Sequence, residues 1–347
     1  MGTSFEKAPF YAQISLKGTL LCLKGNKDHA ARRKYFSKAF TQNNLLEWEG
    51  TLKKGVRRAI LGMKEKGREE GKEVDVLKAV TEMSLKIMVE LCFGEMGEEG
   101  GEKIPKANDG PTRAAIIDGV HSEVIFTENG SKRKVLYLLR SLPLPLFITR
   151  WIFQPSVKES VQQLKQNYLT KPDDFKNTIL ARAIGKNEED TGLPDGILVK
   201  EAKAFIVAGT DTTANAATYL FWVVLKHPEV KAKLQEEVDS LPEDFSISQV
   251  QALPYLQLVI TETLRIFQPE RWENPTPEMK DSYMPFGIGA RVCIGQQLAQ
   301  MELALSAAML FREFHNVRIA PSMTEQDMIV EDHFAMSPKG HNFMVVL

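Results

Sequence analysis

The chain has 347 residues, 43% of them hydrophobic, so it can bury the core of one large domain or of two ordinary ones. Its 44 lysines and arginines nearly balance 45 aspartates and glutamates, which gives no reason to expect a nucleic-acid partner. Cys22, Cys92 and Cys293 are far apart and lie in no CxxC pattern, which argues against a disulfide framework and against a structural zinc site.

Helical periodicity dominates the chain from its start to its end. The pattern predicts helices over residues 26–40, 50–70, 74–93, 155–170, 173–185, 195–227, 228–240, 254–267 and 296–314. At about 1.5 Å per residue the helix over residues 195–227 would be about 45 Å long, enough to cross a whole domain. The tail is predicted to form a short hairpin around Pro338, Lys339 and Gly340. The expected fold class is therefore mainly α, with a minor β part.

Hydropathy predicts no membrane span. No apolar run reaches the roughly 18 residues that a spanning helix needs. The first ten residues also lack the basic-then-apolar pattern of a signal peptide. The most apolar stretch covers residues 135–153, but arginines and prolines interrupt it. This stretch is expected to be buried or to lie on a membrane surface.

Residues 286–295, FGIGARVCIG, place one cysteine among three glycines. A thiolate that binds a metal is a buried anion, so backbone amides must approach its sulfur, and residues without side chains permit this. Gly289 and Gly295 can supply that geometry, and a helix that begins near Gln296 points its positive end toward the site. An inert cysteine in a glycine turn would explain Cys293 alone, but not the whole set of residues.

The set resembles the F-x-x-G-x-R-x-C-x-G haem-binding loop of the cytochrome P450 family of haem-thiolate monooxygenases. The residues that carry the resemblance are Phe286, Gly289, Arg291, Cys293 and Gly295. It implies a cytochrome P450 fold, with haem b between the helix over residues 195–227 and the cysteine loop. It also implies that Cys293 is the axial ligand of the haem iron, a ligation that favours O–O cleavage, and that Arg291 pairs with a haem propionate.

Residues 208–213, AGTDTT, make a poor helix centre, because glycine and consecutive threonines lower helix propensity. Taken alone, the stretch could equally be an ordinary packed helix with threonine back-bonds. It resembles the family's [AG]-G-x-[DE]-T-[TS] signature. The resemblance implies that Ala208 and Gly209 let a flat cofactor lie against the helix. It also implies that Asp211 and Thr212 deliver protons during dioxygen activation.

Glu262 and Arg265 stand three residues apart, so they share one face of a predicted helix and can form an ion pair. Most such pairs are solvated, but apolar neighbours indicate that this one is buried and needs further partners. Arg271, in the stretch PERW, resembles the family's P-x-R-[FW] element. The resemblance implies a structural triad of Glu262, Arg265 and Arg271 with no catalytic part.

His29 and Arg33 resemble the family's helix in which a Trp or His precedes an Arg by four residues. They would face the haem propionates, since the forked donors of arginine suit a carboxylate. Arg32, Lys34 and Lys38 would form a basic patch where a reductase docks. An ordinary solvated basic helix is the alternative for these residues.

The chain departs from the family pattern in two places. Nothing corresponds to the usual amino-terminal membrane anchor, so at most peripheral membrane contact is expected, through residues 135–153. Only residues 266–268 separate Arg265 from Pro269, where the family has several dozen, which indicates an internal deletion and an incomplete sheet. A haem pocket without that wall would admit water, so impaired haem retention and oxygen activation are expected.

These observations predict a single haem-binding monooxygenase domain over residues 1–347. The resemblance is strongest to microsomal enzymes of fungal type, which are held at the endoplasmic reticulum membrane. It implies insertion of one oxygen atom of dioxygen into a hydrophobic small molecule, with electrons from NADPH through NADPH–cytochrome P450 reductase. Two alternatives stay open: a haem-binding protein without turnover, and a non-haem helical interaction protein in which the cysteine is inert.

Overall fold

A computed structural model of the chain describes residues 16–68, 72–94, 145–184, 192–263, 269–333 and 335–347, with Lys7 and Tyr11. For residues 145–156, 159, 332 and 333 it describes the backbone alone. Arg265 and the stretch 135–144 lie outside the described residues. None of the helices in the described ranges combines the length and the hydropathy that a membrane span requires.

The described residues are mainly helical, as their periodicity predicts. The helices are α1 (Asn26–Ser37), α2 (Gln42–Glu47), α3 (Glu49–Lys66), α4 (Val76–Phe93), α5 (Pro145–Thr170), α6 (Pro172–Phe175), α7 (Asp195–Lys226), α8 (Pro228–Asp239), α9 (Ile247–Gln251), α10 (Pro254–Thr263), α11 (Pro277–Asp281) and α12 (Gln296–Glu313). The strands are β1 (Glu73–Asp75), β2 (Arg318–Ile319), β3 (Val330–His333), β4 (Ala335–Pro338) and β5 (Met344–Val346). Short 3₁₀ turns cover Ala181–Ala183, Pro269–Trp272 and Gly289–Arg291.

Local signals explain where several helices begin and end. α4 stops where Gly94 adopts a positive φ of 85°, which ends a helix without the steric cost of a Cβ. α8 begins at Pro228, whose missing N–H is no loss in a first turn. Ser246 and Gln249 form a capping box that starts α9.

The helix predicted over residues 173–185 is wrong. α6 ends at Phe175, and the backbone N–H and the hydroxyl of Thr178 both donate to the Phe175 carbonyl oxygen, at 3.0 Å each, which closes a turn. The N–H of Ile179 then donates to the carbonyl oxygen of Leu91 in α4, at 2.8 Å. A hydrogen bond to a distant helix thus replaces the local one that would have continued α6.

The carboxyl-terminal strands also differ from their prediction. β3 and β4 form an antiparallel hairpin in which Val330 pairs with Pro338 and His333 with Ala335, so its two strands do not flank Pro338 to Gly340. A turn does form at Pro338, whose carbonyl oxygen accepts the N–H of His341 at 3.0 Å. It leads into β5, the central strand of a three-stranded antiparallel sheet with β1 and β2.

The chain divides into two compact units. The first unit contains Phe40–Ile87 and Gly209–Leu347, and the second contains Gly2–Ala39 and Met88–Ala208. In the first unit α12 is buried on most of its sides and packs against α3, α8, α9 and α10. α3 lies close to α4 at Gly55, which has no side chain. A Cβ at this position would stand 2.6 Å from the Ile87 side chain, so this close approach requires glycine.

Glu302 is a buried carboxyl group of α12 that no sequence motif singled out. It is 1% exposed, and the Ser84 hydroxyl donates to its Oε2 at 3.3 Å. Burial raises the pKa of Glu302 to about 8, although the Ser84 hydrogen bond opposes the rise. Near neutral pH this group is therefore protonated in the folded protein, whereas it is ionised in the unfolded chain.

We expect the free energy of unfolding to fall as the pH rises from about 5 to about 8, by up to about 1.4 kcal/mol per pH unit. The sign follows because the unfolded chain releases the Glu302 proton at a lower pH than the folded protein does. Glu302→Gln should flatten the slope, measured by urea unfolding at several pH values. Glu325→Gln, at a side chain that is 70% exposed, should leave it unchanged. Equal slopes in all three proteins would contradict this assignment.

Candidate active site

The cysteine loop runs from Phe286 to the beginning of α12. The N–H of Cys293 donates to the carbonyl oxygen of Phe286 at 2.9 Å, and the N–H of Val292 donates to that of Gly289 at 3.1 Å. Gly287 and Gly289 have φ angles of 72° and 70°, in a region that residues with a side chain adopt only with strain. The glycines therefore hold a closed backbone loop around the cysteine.

Cys293 is the exposed thiol of the three, whereas Cys22 and Cys92 are buried. Burial raises the pKa of both buried thiols, which disfavours the thiolate. Gly295 is the N-cap residue of α12, so Cys293 lies just before a helix N-terminus, where an anion is stabilised. Of the three cysteines, Cys293 alone has surroundings that suit a metal-binding thiolate.

α7 exposes one strip near its midpoint. Ala208 and Thr212, one turn apart, are exposed, whereas Thr210 and Thr213 are buried. Despite its poor propensity, the stretch is helical throughout, since α7 is one unbroken helix from Asp195 to Lys226. Small residues on the exposed strip leave space beside the helix backbone that a larger side chain would fill.

The predicted site residues fall in both units. His29, Arg33 and Ala208 belong to the second unit. The first unit holds the others that the structure describes: Gly209, Asp211, Thr212, Glu262, Arg271, Phe286, Gly289, Arg291, Cys293 and Gly295. His29 is buried and Arg33 is half-buried, so this face of α1 is not the fully solvated helix that the simpler alternative predicts.

Glu262 is a fully buried carboxylate of α10 and accepts hydrogen bonds from the turn Pro269–Trp272. The guanidinium of Arg271 donates to both of its oxygens, from Nε to Oε2 at 2.9 Å and from Nη2 to Oε1. The indole N–H of Trp272 also donates to Oε2. The Glu262–Arg271 contact is therefore present, while Arg265 lies outside the described residues. Trp272 was not predicted as a partner, although a buried indole needs an acceptor.

A second carboxylate holds the other end of α10. Glu237 of α8 accepts the backbone N–H groups of Tyr255 and Leu256, at 2.8 Å each. These amides belong to the first turn of α10, where no intrahelical partner exists and a negative charge is favourable. No sequence pattern indicated this cap, because Glu237 comes from a different helix.

The described residues fit a haem group by their chemistry. Cys293 offers an exposed thiol beside a helix N-terminus, Arg291 and Arg33 are cations that suit carboxylates, and Ala208 and Gly209 are small. When bound, haem with a thiolate ligand supplies the capacity to activate dioxygen. Among the chain's own groups near the exposed strip of α7, Asp211 and Thr212 are those that can hold or pass a proton.

The chain is similar to known proteins over nearly its whole length. The family model described as cytochrome P450 matches residues 3–268 and 266–345. Cytochrome P450 monooxygenase tazI of Aspergillus terreus is 29% identical over 410 residues, covering 99% of this chain and 81% of that protein. Cytochrome P450 monooxygenase aflV of Aspergillus parasiticus is 26% identical over 409 residues, covering 100% and 79%.

Solved structures share the fold at low sequence identity. The retinoic acid-bound cyanobacterial CYP120A1 has a TM-score of 0.72 at 18% identity, covering 98% of this chain and 83% of that chain. A cytochrome P450 named CYP102L1 also has a TM-score of 0.72, at 17% identity, covering 98% and 84%. These likenesses show the fold.

The two segments matched by the family model meet at residues 266–268, where the sequence indicates an internal deletion. Both alignments are longer than the 347 residues of the chain, so the relatives contain residues that have no counterpart here. Because the matched segments together cover nearly all of its residues, the chain belongs to the cytochrome P450 family and is a monooxygenase of that type.

Proposed function

We propose that this cytochrome P450 binds haem b through Cys293 and inserts one oxygen atom of dioxygen into a hydrophobic small organic molecule. The observation that carries the proposal is the exposed thiol of Cys293, in a loop closed by its hydrogen bond to Phe286 and placed just before α12. A thiol there can ionise and bind iron, which burial opposes at Cys22 and Cys92.

The remaining site residues have supporting roles in this proposal. The loop residues Phe286, Gly289 and Gly295 shape the backbone around the thiolate, and Glu262, Arg265 and Arg271 stabilise the core. Arg291, Arg33 and His29 bind the carboxylates of the cofactor. Ala208 and Gly209 are small and face its ring. Asp211 and Thr212 supply the acid and the alcohol that move protons.

Electrons would come from NADPH through NADPH–cytochrome P450 reductase, with the chain in peripheral contact with the endoplasmic reticulum membrane. The basic patch proposed for reductase docking is smaller than its sequence suggests. Arg32 binds the buried Glu201 and is not available to a partner. Lys34 of α1 and Lys38, the residue that follows α1, are exposed and would form what remains of the patch.

A second candidate is a haem-binding protein with impaired turnover. The observation in its favour is the junction at residues 266–268, where the two matched segments of the family model meet. The residues absent there would supply part of the wall beside the cofactor, and water entering through the gap would weaken haem retention and uncouple oxygen activation.

Haem titration of the purified chain separates these possibilities. A Soret band shifted from that of free haem and a reduced–CO band typical of thiolate ligation would support the proposed cofactor. Product formation with added reductase would then support full monooxygenase function, and haem binding without product would support the impaired form. A Soret band identical to that of free haem would favour a helical interaction protein with an inert cysteine.

Thr212→Ala is expected to divert reducing equivalents from product to hydrogen peroxide, because the helix loses the hydroxyl that passes a proton. Product formed per NADPH should fall by up to about a hundredfold, the lower end of the contribution of a general acid. The measurement is the stoichiometry of NADPH, peroxide and product. Thr212→Ser keeps a hydroxyl and should retain most of the coupling. Unchanged coupling in the alanine variant would remove Thr212 from the mechanism.

A further inference from the structure

A buried ion pair joins α1 to α7 within the second unit. Nη1 of Arg32 lies 2.5 Å from Oε1 of Glu201, and the two side chains are 17% and 0% exposed. Arg32 precedes Arg33 directly in α1, and Glu201 lies in the part of α7 that precedes Ala208. The contact corrects the prediction of Arg32 as a surface residue for docking.

Glu201 also binds the segment that precedes α1. The N–H of Leu20 donates to both carboxylate oxygens, at 2.9 Å and 3.1 Å. Arg32 in turn donates to the carbonyl oxygen of Gly18 at 3.2 Å, where the chain turns with a φ of 87°. Burial raises the pKa of Glu201, and the hydrogen bonds from Leu20 and Arg32 oppose that rise. One buried carboxylate therefore ties three segments together.

An aromatic contact lies one helical turn further along both helices. The rings of Phe36 and Phe205 meet edge to face, with centroids 4.9 Å apart and planes at 68°. Phe36 follows Arg32 by four residues and Phe205 follows Glu201 by four, so each helix presents its two contacts on one face. Two contacts one turn apart fix both the rotation and the register of α1 against α7. We name Arg32, Phe36, Glu201 and Phe205 the α1–α7 clamp.

The adjacent strip of α1 carries His29 and Arg33, which are also four residues apart. Any rotation or slip of α1 that breaks the clamp therefore moves both residues. We infer that Glu201 and Arg32 are positioning residues that hold His29 and Arg33 where these bind the carboxylates of haem. This inference rests on the haem binding proposed above and assigns a role to two residues that need not touch the cofactor.

The dimethyl ester of haem separates carboxylate contacts from the other contributions to binding, because it keeps the ring and the iron but carries no carboxylate. The ratio of its dissociation constant to that of haem should be about 10 or more in the parent chain, the size expected for charge-assisted hydrogen bonds. Glu201→Gln should lower this ratio about threefold or more, by weakening haem binding while ester binding stays unchanged, and the contribution proposed for Arg291 should remain. Arg33→Gln should lower the ratio in the same direction by direct loss of a contact.

Two further variants control for folding. Asp195→Asn, which removes the more exposed ion pair with Lys165 in the same unit, should keep the parent ratio. Arg32→Lys keeps the charge but not the forked donor, so it should lower the ratio part of the way. If Glu201→Gln does not fold, Arg32→Lys becomes the test of the inference. A ratio of dissociation constants in Arg32→Lys equal to that of the parent chain would overturn the inference.

Equal weakening of haem and ester in Glu201→Gln would show a general loss of stability and would overturn the inference, as would an unchanged ratio. If the parent chain binds haem and its ester with equal affinity, His29 and Arg33 do not bind the carboxylates of haem. That result would also overturn the inference. A parent chain that binds neither ligand would refute the proposed cofactor itself, and the positioning role with it.

Discussion

Replacing Cys293 with alanine is expected to abolish the reduced–CO band typical of thiolate ligation. Cys293 is the exposed cysteine, and the other two are buried with raised pKa values, so no other thiol can take its place. Residual haem binding through cations such as Arg291 should survive, with affinity lowered by at least about tenfold because the bond to iron is lost. The measurement is the reduced–CO difference spectrum together with a haem titration.

The two buried cysteines provide matched controls for this prediction. Cys22→Ala and Cys92→Ala should each keep the thiolate-type spectrum. Each removes one buried sulfur, and the expected loss is about 1 kcal/mol of unfolding free energy, as for the deletion of a small buried group. A parent-like spectrum in Cys293→Ala, or its loss in Cys22→Ala, would remove Cys293 from the iron.

Arg271→Gln should give the largest loss of stability among the substitutions considered. Glu262 is fully buried, and the guanidinium of Arg271 donates to both of its oxygens. Breaking a buried ion pair typically lowers the unfolding free energy by about 3–5 kcal/mol. We expect the lower end, about 3 kcal/mol, because the Arg271 side chain is 33% exposed and solvent screens part of the interaction. Urea unfolding gives the value directly.

A double-mutant cycle measures the interaction energy between Glu262 and Arg271 separately from the other effects of each substitution. Glu262→Gln with Arg271→Gln removes both charges, so the double variant should be more stable than the sum of the single losses predicts. Lys176→Gln provides a control, because its exposed pair with Asp173 should contribute less than 1 kcal/mol. Additive losses at Glu262 and Arg271 would contradict the proposed coupling.

The contact between Glu262 and Arg271 forms despite the short connection that the sequence indicates to be an internal deletion. The two residues are nine positions apart in the sequence, and Nε and Nη2 of Arg271 both donate to the Glu262 carboxylate. The short connection therefore does not prevent this contact in the first unit. The impairment proposed for the junction of the two matched segments would therefore have to arise elsewhere than at this ion pair.

Two helix ends were predicted correctly from a local signal. Gly94 ends α4 and Pro228 begins α8, as their backbone preferences require. The prediction over residues 173–185 was wrong because the N–H of Ile179 is bound by Leu91, a residue far away in the chain. The hairpin prediction placed a turn correctly at Pro338 but paired the wrong strands, because pairing depends on which edges meet in space.

By itself the sequence determined the helical class, the cytochrome P450 resemblance and the cysteine loop, because periodicity and a short motif are local properties of a chain. The tertiary structure decided the partners of its buried polar and charged groups. Arg32 and Glu201 are separated by 169 positions, and Ser84 and Glu302 by 218. No pattern along the chain specifies such pairs: a buried polar or charged group requires a partner, and only the packing of distant helices brings one within hydrogen-bonding distance.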